Sequence, residues 1–254
     1  MSKHTFLVID IGNTSTSLGL YRGGRVSRVG RIEKVVQTDG SVADAMKKAA
    51  GNSRVTAVGI ASVVPSLNPL WRGAVQRLFS VDPVFIDHTL PLGVNVTYPK
   101  PASIGADRLA NAAGAVRKYG APVIVADFGT AVTFDLVTKR DGYIGGIIAP
   151  GLPLMFDYLH ERTAQLPRIG WGPVRHHVGK STIEAMQLGA HWGYRGMVRE
   201  ILTELHKVPS LKHAVICATG GFAGKVLQGI TPKPVLDQTL TLFGIGSVLE
   251  KCVG

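Results

Sequence analysis

Cysteine is almost missing: Cys217 and Cys252 are the only two among 254 residues. Two thiols cannot build a disulfide framework, and Cys217 lies inside an apolar, strand-like run, so the cytoplasm is the expected location. Long apolar stretches are missing too. None approaches the ~20 residues that a membrane-spanning helix needs. The opening Met-Ser-Lys-His-Thr leads straight toward an apolar strand, which predicts no signal peptide. The eight histidines, including His176 and His177, show no metal-ligand spacing with acids or cysteines. Acids are scarce: 17 Asp and Glu face 28 Lys and Arg, giving a net charge of +11. Such an excess attracts anions, either nucleic acid or an anionic substrate. Arg22, Arg25, Arg28, Arg31 and Lys34 recur every third residue, but on a hairpin they fall on both faces. With no aromatic ladder or helix-turn-helix pattern beside them, no specific nucleic-acid partner is expected. What is present is ordinary globular material, 45% apolar and only 18% charged. The length suits one large domain or two of about 125 residues.

The stretch FLVIDIGNTSTSLGLY, Phe6 to Tyr21, carries the first chemical signal. Phe6 to Ile9 reads as an interior strand, and Leu18, Leu20 and Tyr21 read as a second. Between them stand an acid, Asp10, a permissive Gly12, and the donors Asn13, Thr14, Ser15, Thr16 and Ser17. N–H and O–H groups beside a carboxylate suit a phosphate with its metal. The same residue types also make an ordinary hairpin turn.

A repeat separates these readings. VIDIGNTSTSLGLY returns as VADFGTAVTFDLV, with Asp127 placed 117 residues after Asp10. Each copy is an apolar strand, an Asp, a Gly two places on, hydroxyl residues and another strand. Each half later holds a further strand, VTAVGIASVVP in the first and HAVICATGG in the second. Helices are predicted over Ala43–Ala50, Leu70–Phe79, Leu109–Tyr119 and Leu240–Cys252. A longer one is predicted over Ile183–Leu205, broken near Gly193 or Gly196. The chain therefore reads as two α/β halves of like design, joined near Gly120-Ala121-Pro122. If the halves face each other, two phosphate turns and two carboxylates meet in one cleft, a sensible match for a nucleoside triphosphate and its cation.

Other motifs need weighing. VGKST, Val178 to Thr182, ends like a phosphate-binding P-loop, but the required first glycine is Val174 and no strand precedes it. Ser181 and Glu184 instead predict a helix-capping box, with Thr182 first in the helix. SIGADRLANAAGAV sets Asp107 and Arg108 in the first turn of an alanine-rich helix. There an acid either complements the helix dipole or serves as a base beside an anion-holding cation. Gly145-Gly146 with Pro150-Gly151 read either as a plain turn or as a place where backbone approaches a ligand closely, and Gly220-Gly221 follow a buried strand and leave bare backbone. An adenine ring against the second pair is one candidate.

Together these residues resemble the ASKHA superfamily of acetate and sugar kinases, Hsp70 and actin, whose paired RNase H-like halves clasp ATP. Within it the chain is most similar to type III pantothenate kinases. The shared motifs run in order over nearly its whole length: DIGNT from Asp10, SVVP from Ser62, GADR from Gly105, DFGTAVTFD from Asp127, GGIIAPG from Gly145, STIEAMQLG from Ser181 and ATGG from Ala218. The resemblance implies an α/β fold of two duplicated RNase H-like halves, residues 1–119 and 120–254, each with a mixed sheet and with a cleft between them. It implies an ATP-dependent kinase acting on the primary hydroxyl of pantothenate, the first step of coenzyme A biosynthesis. Asp10, Ile11, Gly12, Asn13, Thr14, Ser15, Thr16 and Ser17 would form the first phosphate loop, and Thr130 would touch ATP from the second. Asp107 would be the catalytic base. Gly105, Ala106, Asp107 and Arg108, with Tyr98 and Thr182, would line the acceptor pocket. Asp127 would hold a monovalent cation, K⁺ or NH4⁺, and Mg²⁺ would accompany ATP. A homodimer is implied, with no membrane attachment. Pro99 after Tyr98 biases Tyr98 to extended backbone and alters the local pocket shape. Two other readings stand beside this one: an accessory transcription factor of the same family, kept in view by the charge, and an ASKHA kinase with another hydroxylated acceptor.

Overall fold

A computed structural model describes residues 4–33 and 37–253. Its first sheet contains β1 (Phe6–Ile11), β2 (Ser15–Arg22), β3 (Arg25–Glu33), β4 (Ala57–Ser62) and β5 (Val84–Phe85), in the spatial order β3-β2-β1-β4-β5. The second contains β6 (Val123–Phe128), β7 (Ala131–Thr138), β8 (Gly142–Pro150), β9 (Val215–Thr219) and β10 (Val235–Leu236), in the order β10-β9-β6-β7-β8. Read from the other edge, the two orders are the same. The leading strand of each sheet pairs antiparallel with its successor and parallel with the strand after the helices, β1 with β2 and β4, β6 with β7 and β9. The sequence repeat is thus a repeat of topology.

Helices fill the connections: α1 (Asp39–Ala50), α2 (Asn68–Phe79), α3 (Ala106–Tyr119), α4 (Leu152–Glu161), α5 (Thr182–Leu188), α6 (Arg195–Lys207), α7 (Ala223–Val226) and α8 (Leu240–Val253). The long helix predicted over Ile183–Leu205 is interrupted near Gly193, as expected, by a π-helical turn, Gly189–Tyr194, that joins α5 to α6. Neither α5 nor any other helix among the described residues is long and apolar enough to cross a membrane.

The chain divides into two units: residues 1–120, 140–144 and 239–254, and residues 121–139 with 145–238. The closing helix α8 therefore belongs with the first unit. It packs on α3 through small residues, where a Cβ on Gly244 would lie 1.8 Å from the Ala110 carbonyl oxygen. Thr241 donates to the buried Asn111 Oδ1 at 2.8 Å, and Arg117 pairs with Glu250 at 2.6 Å. Strand alternation then sorts β1. Leu7, Ile9 and Ile11 join the core formed with Val42, Met46 and Trp71 of α1 and α2. Phe6 faces the other way, stacked on Tyr21, which meets Phe243 of α8. Asp10 shares that second face.

The regular arginines of the first hairpin are mostly surface residues, but Arg28 has a local task. It sits at φ 51°, donates from Nη1 to the Ala50 carbonyl at 3.2 Å, and so satisfies the C-terminus of α1. Lys34 lies outside the described residues.

Candidate active site

In the first unit, the turn after β1 is closed by the Gly12 N–H donating to the Ser15 carbonyl at 3.0 Å. Asp10 stands directly across from Ser17, and Ile11 from Thr16. Asp10, Ser15 and Ser17 are consequently on one face, half-buried, with Asn13 and Thr14 exposed at the tip. Thr16 is on the opposite face and fully buried. Its hydroxyl accepts from Gln37 Nε2 at 2.9 Å, and Gln37 Oε1 accepts from Trp71 Nε1 at 2.8 Å.

The SVVP segment ties this turn to the start of α3. The Val63 N–H donates to the Ile11 carbonyl at 3.1 Å, and Val63 Cγ1 lies 3.4 Å from where a Cβ on Gly105 would stand. The Asp107 carboxylate folds back over Gly105, its Oδ1 2.5 Å from the same position. Any larger residue at 105 would displace it. Asp107 Oδ1 accepts from the Arg108 N–H at 2.8 Å. Burial raises the Asp107 pKa, opposed less strongly by that hydrogen bond and by the Arg108 charge. A carboxylate held with a raised pKa near Arg108 is equipped to accept a proton.

Tyr98 and Arg108 meet through a residue that the motifs did not single out. Tyr143 is 1% exposed, its ring edge-on to Tyr98 (6.4 Å, 77°) and 6.0 Å from the Arg108 guanidinium carbon. Only its tertiary placement reveals it, since Tyr143 precedes the glycine pair as an unremarkable strand residue.

In the second unit, Asp127 faces Thr133 on β7 and Thr219 on β9. The turn is closed by the Gly129 N–H donating to the Ala131 carbonyl at 3.0 Å. Backbone braces it twice. Gly151 N–H donates to the Thr130 carbonyl at 3.0 Å, and a Cβ on Gly151 would stand 2.1 Å from that oxygen. A Cβ on Gly220 (φ +91°) would stand 2.6 Å from Asp127 Oδ1 and from the Phe128 backbone. Gly151 and Gly220 thus each meet the backbone or side chain of the second turn closely.

Thr182 is exposed at the first position of α5. Ser181 accepts from the Glu184 N–H at 3.2 Å, as the capping reading predicts. The reciprocal bond differs: Glu184 Oε2 takes the Lys180 N–H, at 2.8 Å, one residue earlier than a capping box requires. Among the described residues no group of three or more His, Cys, Asp or Glu side chains forms a metal cluster. A single carboxylate opposite a hydroxyl residue, as Asp10 stands to Ser17 and Asp127 to Thr133, fits a cation that is held mainly by a substrate's phosphates.

Two sheets of matching strand order, each with an acid-bearing turn after its leading strand, define a duplicated RNase H-like α/β fold. A ROK family glucokinase from Streptomyces griseus, solved with glucose and AMPPNP, matches at TM-score 0.57 and 16% identity, covering 98% of this chain and all of that one. A Campylobacter jejuni structure described as a conserved putative Baf family transcriptional activator matches equally, at TM-score 0.57 and 16% identity over 97% and 98%. At such identities both show the fold alone. Sequence goes further: the family model for type III pantothenate kinase matches residues 6–204. A type III pantothenate kinase from Methylacidiphilum infernorum is 37% identical over 250 residues, 96% of this chain and 89% of the relative. The chain belongs to the type III pantothenate kinase family.

Proposed function

We infer that this chain is a pantothenate kinase, transferring the γ-phosphoryl group of ATP to the primary hydroxyl of pantothenate and so opening coenzyme A biosynthesis. Family membership over nearly the full length supports this. The observation that carries the chemistry is Asp107, folded onto Gly105 with a raised pKa beside Arg108. The transcription-factor reading gains no support, since its structural match rests on fold alone.

Phosphoryl transfer to an alcohol needs the hydroxyl proton to leave as the new bond forms, and Asp107 takes it. Arg108 holds the acceptor's carboxylate, and Tyr98, Gly105, Ala106 and Thr182 complete the acceptor's surroundings. Asp10, Ile11, Gly12, Asn13, Thr14, Ser15 and Ser17 serve ATP's phosphates, with Thr16 contributing through its main chain, and Thr130 serves them from the second turn. Bound Mg²⁺ and a monovalent cation at Asp127 would neutralise charge on the phosphates. Residues 1–119 carry the first phosphate loop and 120–254 the second. The enzyme works as a homodimer in the cytoplasm.

The test is an ATP-consumption assay with pantothenate and a panel of other hydroxylated acids, on wild type and Asp107→Asn. The expected result is turnover of pantothenate alone, reduced about 10²–10⁴-fold in the variant with both substrates still bound. Turnover within about threefold of wild type would reduce Asp107 to a helix-dipole acid.

A further inference from the structure

We propose that Tyr143 is a positioning residue for the acceptor, the part that fixes Tyr98 and Arg108 relative to one another. The proposal rests on the pantothenate kinase reading above and adds a residue to it. Tyr98 follows an irregular segment, and Arg108 stands at the start of α3, ten positions later. Between them lies the short 3-10 turn Pro101–Ser103, which does not rigidly relate one side chain to the other.

Tyr143 supplies the missing reference. Its backbone is locked to the Tyr98 segment on both sides: its N–H donates to the Asn95 carbonyl at 2.8 Å, and its carbonyl accepts from the Thr97 N–H at 3.0 Å and the Thr97 hydroxyl at 3.3 Å. Val96 and Tyr143 form an isolated parallel bridge. Gly142 makes this approach possible. It has φ +72°, and a Cβ there would lie 2.2 Å from the Asn95 carbonyl oxygen. The ring, being buried, cannot swing. It presents an edge-to-face contact to the exposed Tyr98 and π density to Arg108.

An aromatic ring is needed for both contacts, and the hydroxyl for neither. That separates positioning from general packing. Tyr143→Phe should keep pantothenate KM within about twofold of wild type. Tyr143→Leu, and Tyr143→Met as a second, unbranched aliphatic variant, should raise it about five- to twentyfold, the scale of one aromatic and one cation–π contact. The KM for ATP should stay within twofold. Calorimetric binding of pantothenate without ATP should weaken by the same factor, and Tyr98→Ala added to Tyr143→Leu should cost less than it does alone.

The proposal is overturned if pantothenate KM is unmoved, or if the KM values for both substrates rise together in proportion to lost thermal stability. It is also overturned if Tyr143→Phe is as impaired as Tyr143→Leu. Failure of wild type to bind or phosphorylate pantothenate would remove the function reading first, and this one with it. A selective pantothenate KM effect with Phe rescue confirms it.

Discussion

The two acid-bearing turns share a sequence pattern but differ in how they are held. The first has three residues between its strands, Gly12, Asn13 and Thr14, while the second has two, Gly129 and Thr130. The first leaves Asn13 and Thr14 exposed and is anchored from behind, through Thr16, Gln37 and Trp71. The second is half-buried and is braced by backbone at Gly151 and Gly220. One turn presents side-chain donors on a loop with room to adapt. The other fixes a carboxylate in a frame of glycines. A duplicated motif has thus been divided into an open turn with exposed donors and a braced turn that seats Asp127.

The strongest test of this contrast is steric. Gly151→Ala needs no unusual backbone, since φ there is −73°, but its Cβ would strike the Thr130 and Gly129 carbonyls at 2.1 and 2.5 Å. Backbone on both sides must move, which costs about 1–3 kcal/mol, and kcat/KM for ATP should fall about 100-fold or more. Gly12→Ala meets only the Ser15 carbonyl, at 3.0 Å. Its loss should stay near tenfold or below. Equal losses in the two variants would break the distinction between a braced and an open turn.

A second test concerns charge. Exchanging K⁺ for Na⁺, with ammonium excluded, should lower wild-type turnover about tenfold, the effect of roughly 1.4 kcal/mol in the barrier. Asp127→Asn should be slow in both salts and insensitive to the exchange. Asp10→Asn should be slow yet keep the preference. Full wild-type turnover in sodium alone would dismiss the special role of the second turn.

Much of this was legible because strand alternation and repetition are local. The offset between Asp10 and Asp127, the glycine two places on and the flanking apolar runs suffice to place both turns, and the two sheets follow. What stayed hidden depends on which backbone comes near which. Nothing around Gly151 says that it approaches Thr130, so its motif reads equally as a ligand site. Nothing around Tyr143 says that it meets Tyr98 and Arg108. The last helix illustrates the same limit: Leu240–Val253 is plain as a helix, but its packing on α3 of the first unit depends on Gly244 meeting Ala110. Its assignment to a half is a property of contacts, not of sequence order.

A smaller effect is expected from pH, and its sign follows from burial. Because the Asp107 pKa is raised on folding, the unfolded chain releases that proton more readily than the native one. Asp107 therefore costs stability as pH rises from the unfolded pKa through the folded one, and the full cost persists above it. The acid limb of kcat/KM should lie above the ordinary carboxylate range. Asp107→Asn should remove this limb and raise thermal stability at neutral pH. A variant less stable than wild type at pH 7 would mean that Arg108, rather than burial, dominates the site.

The smallest effect separates the two faces of the first turn. Thr16→Val preserves shape but deprives Gln37 Nε2 of its acceptor, leaving a partly buried amide N–H without its protein partner. That should cost about 1–2 kcal/mol of stability. ATP affinity should change less than about threefold, roughly 0.6 kcal/mol, since the Thr16 side chain faces Trp71 and the core of α1 and α2, away from Asp10. Ser17→Ala is the mirror experiment. Ser17 is half-buried on the Asp10 face, so its loss should leave stability within about 0.5 kcal/mol and weaken ATP several-fold. Chemical denaturation and nucleotide binding, measured on both variants, make the comparison direct. If Thr16→Val abolished ATP binding at unchanged stability, the alternation of faces deduced from the Asp10–Ser17 register would be wrong. The first turn would then use both faces of β2 for phosphate, and its anchorage through Gln37 would be incidental.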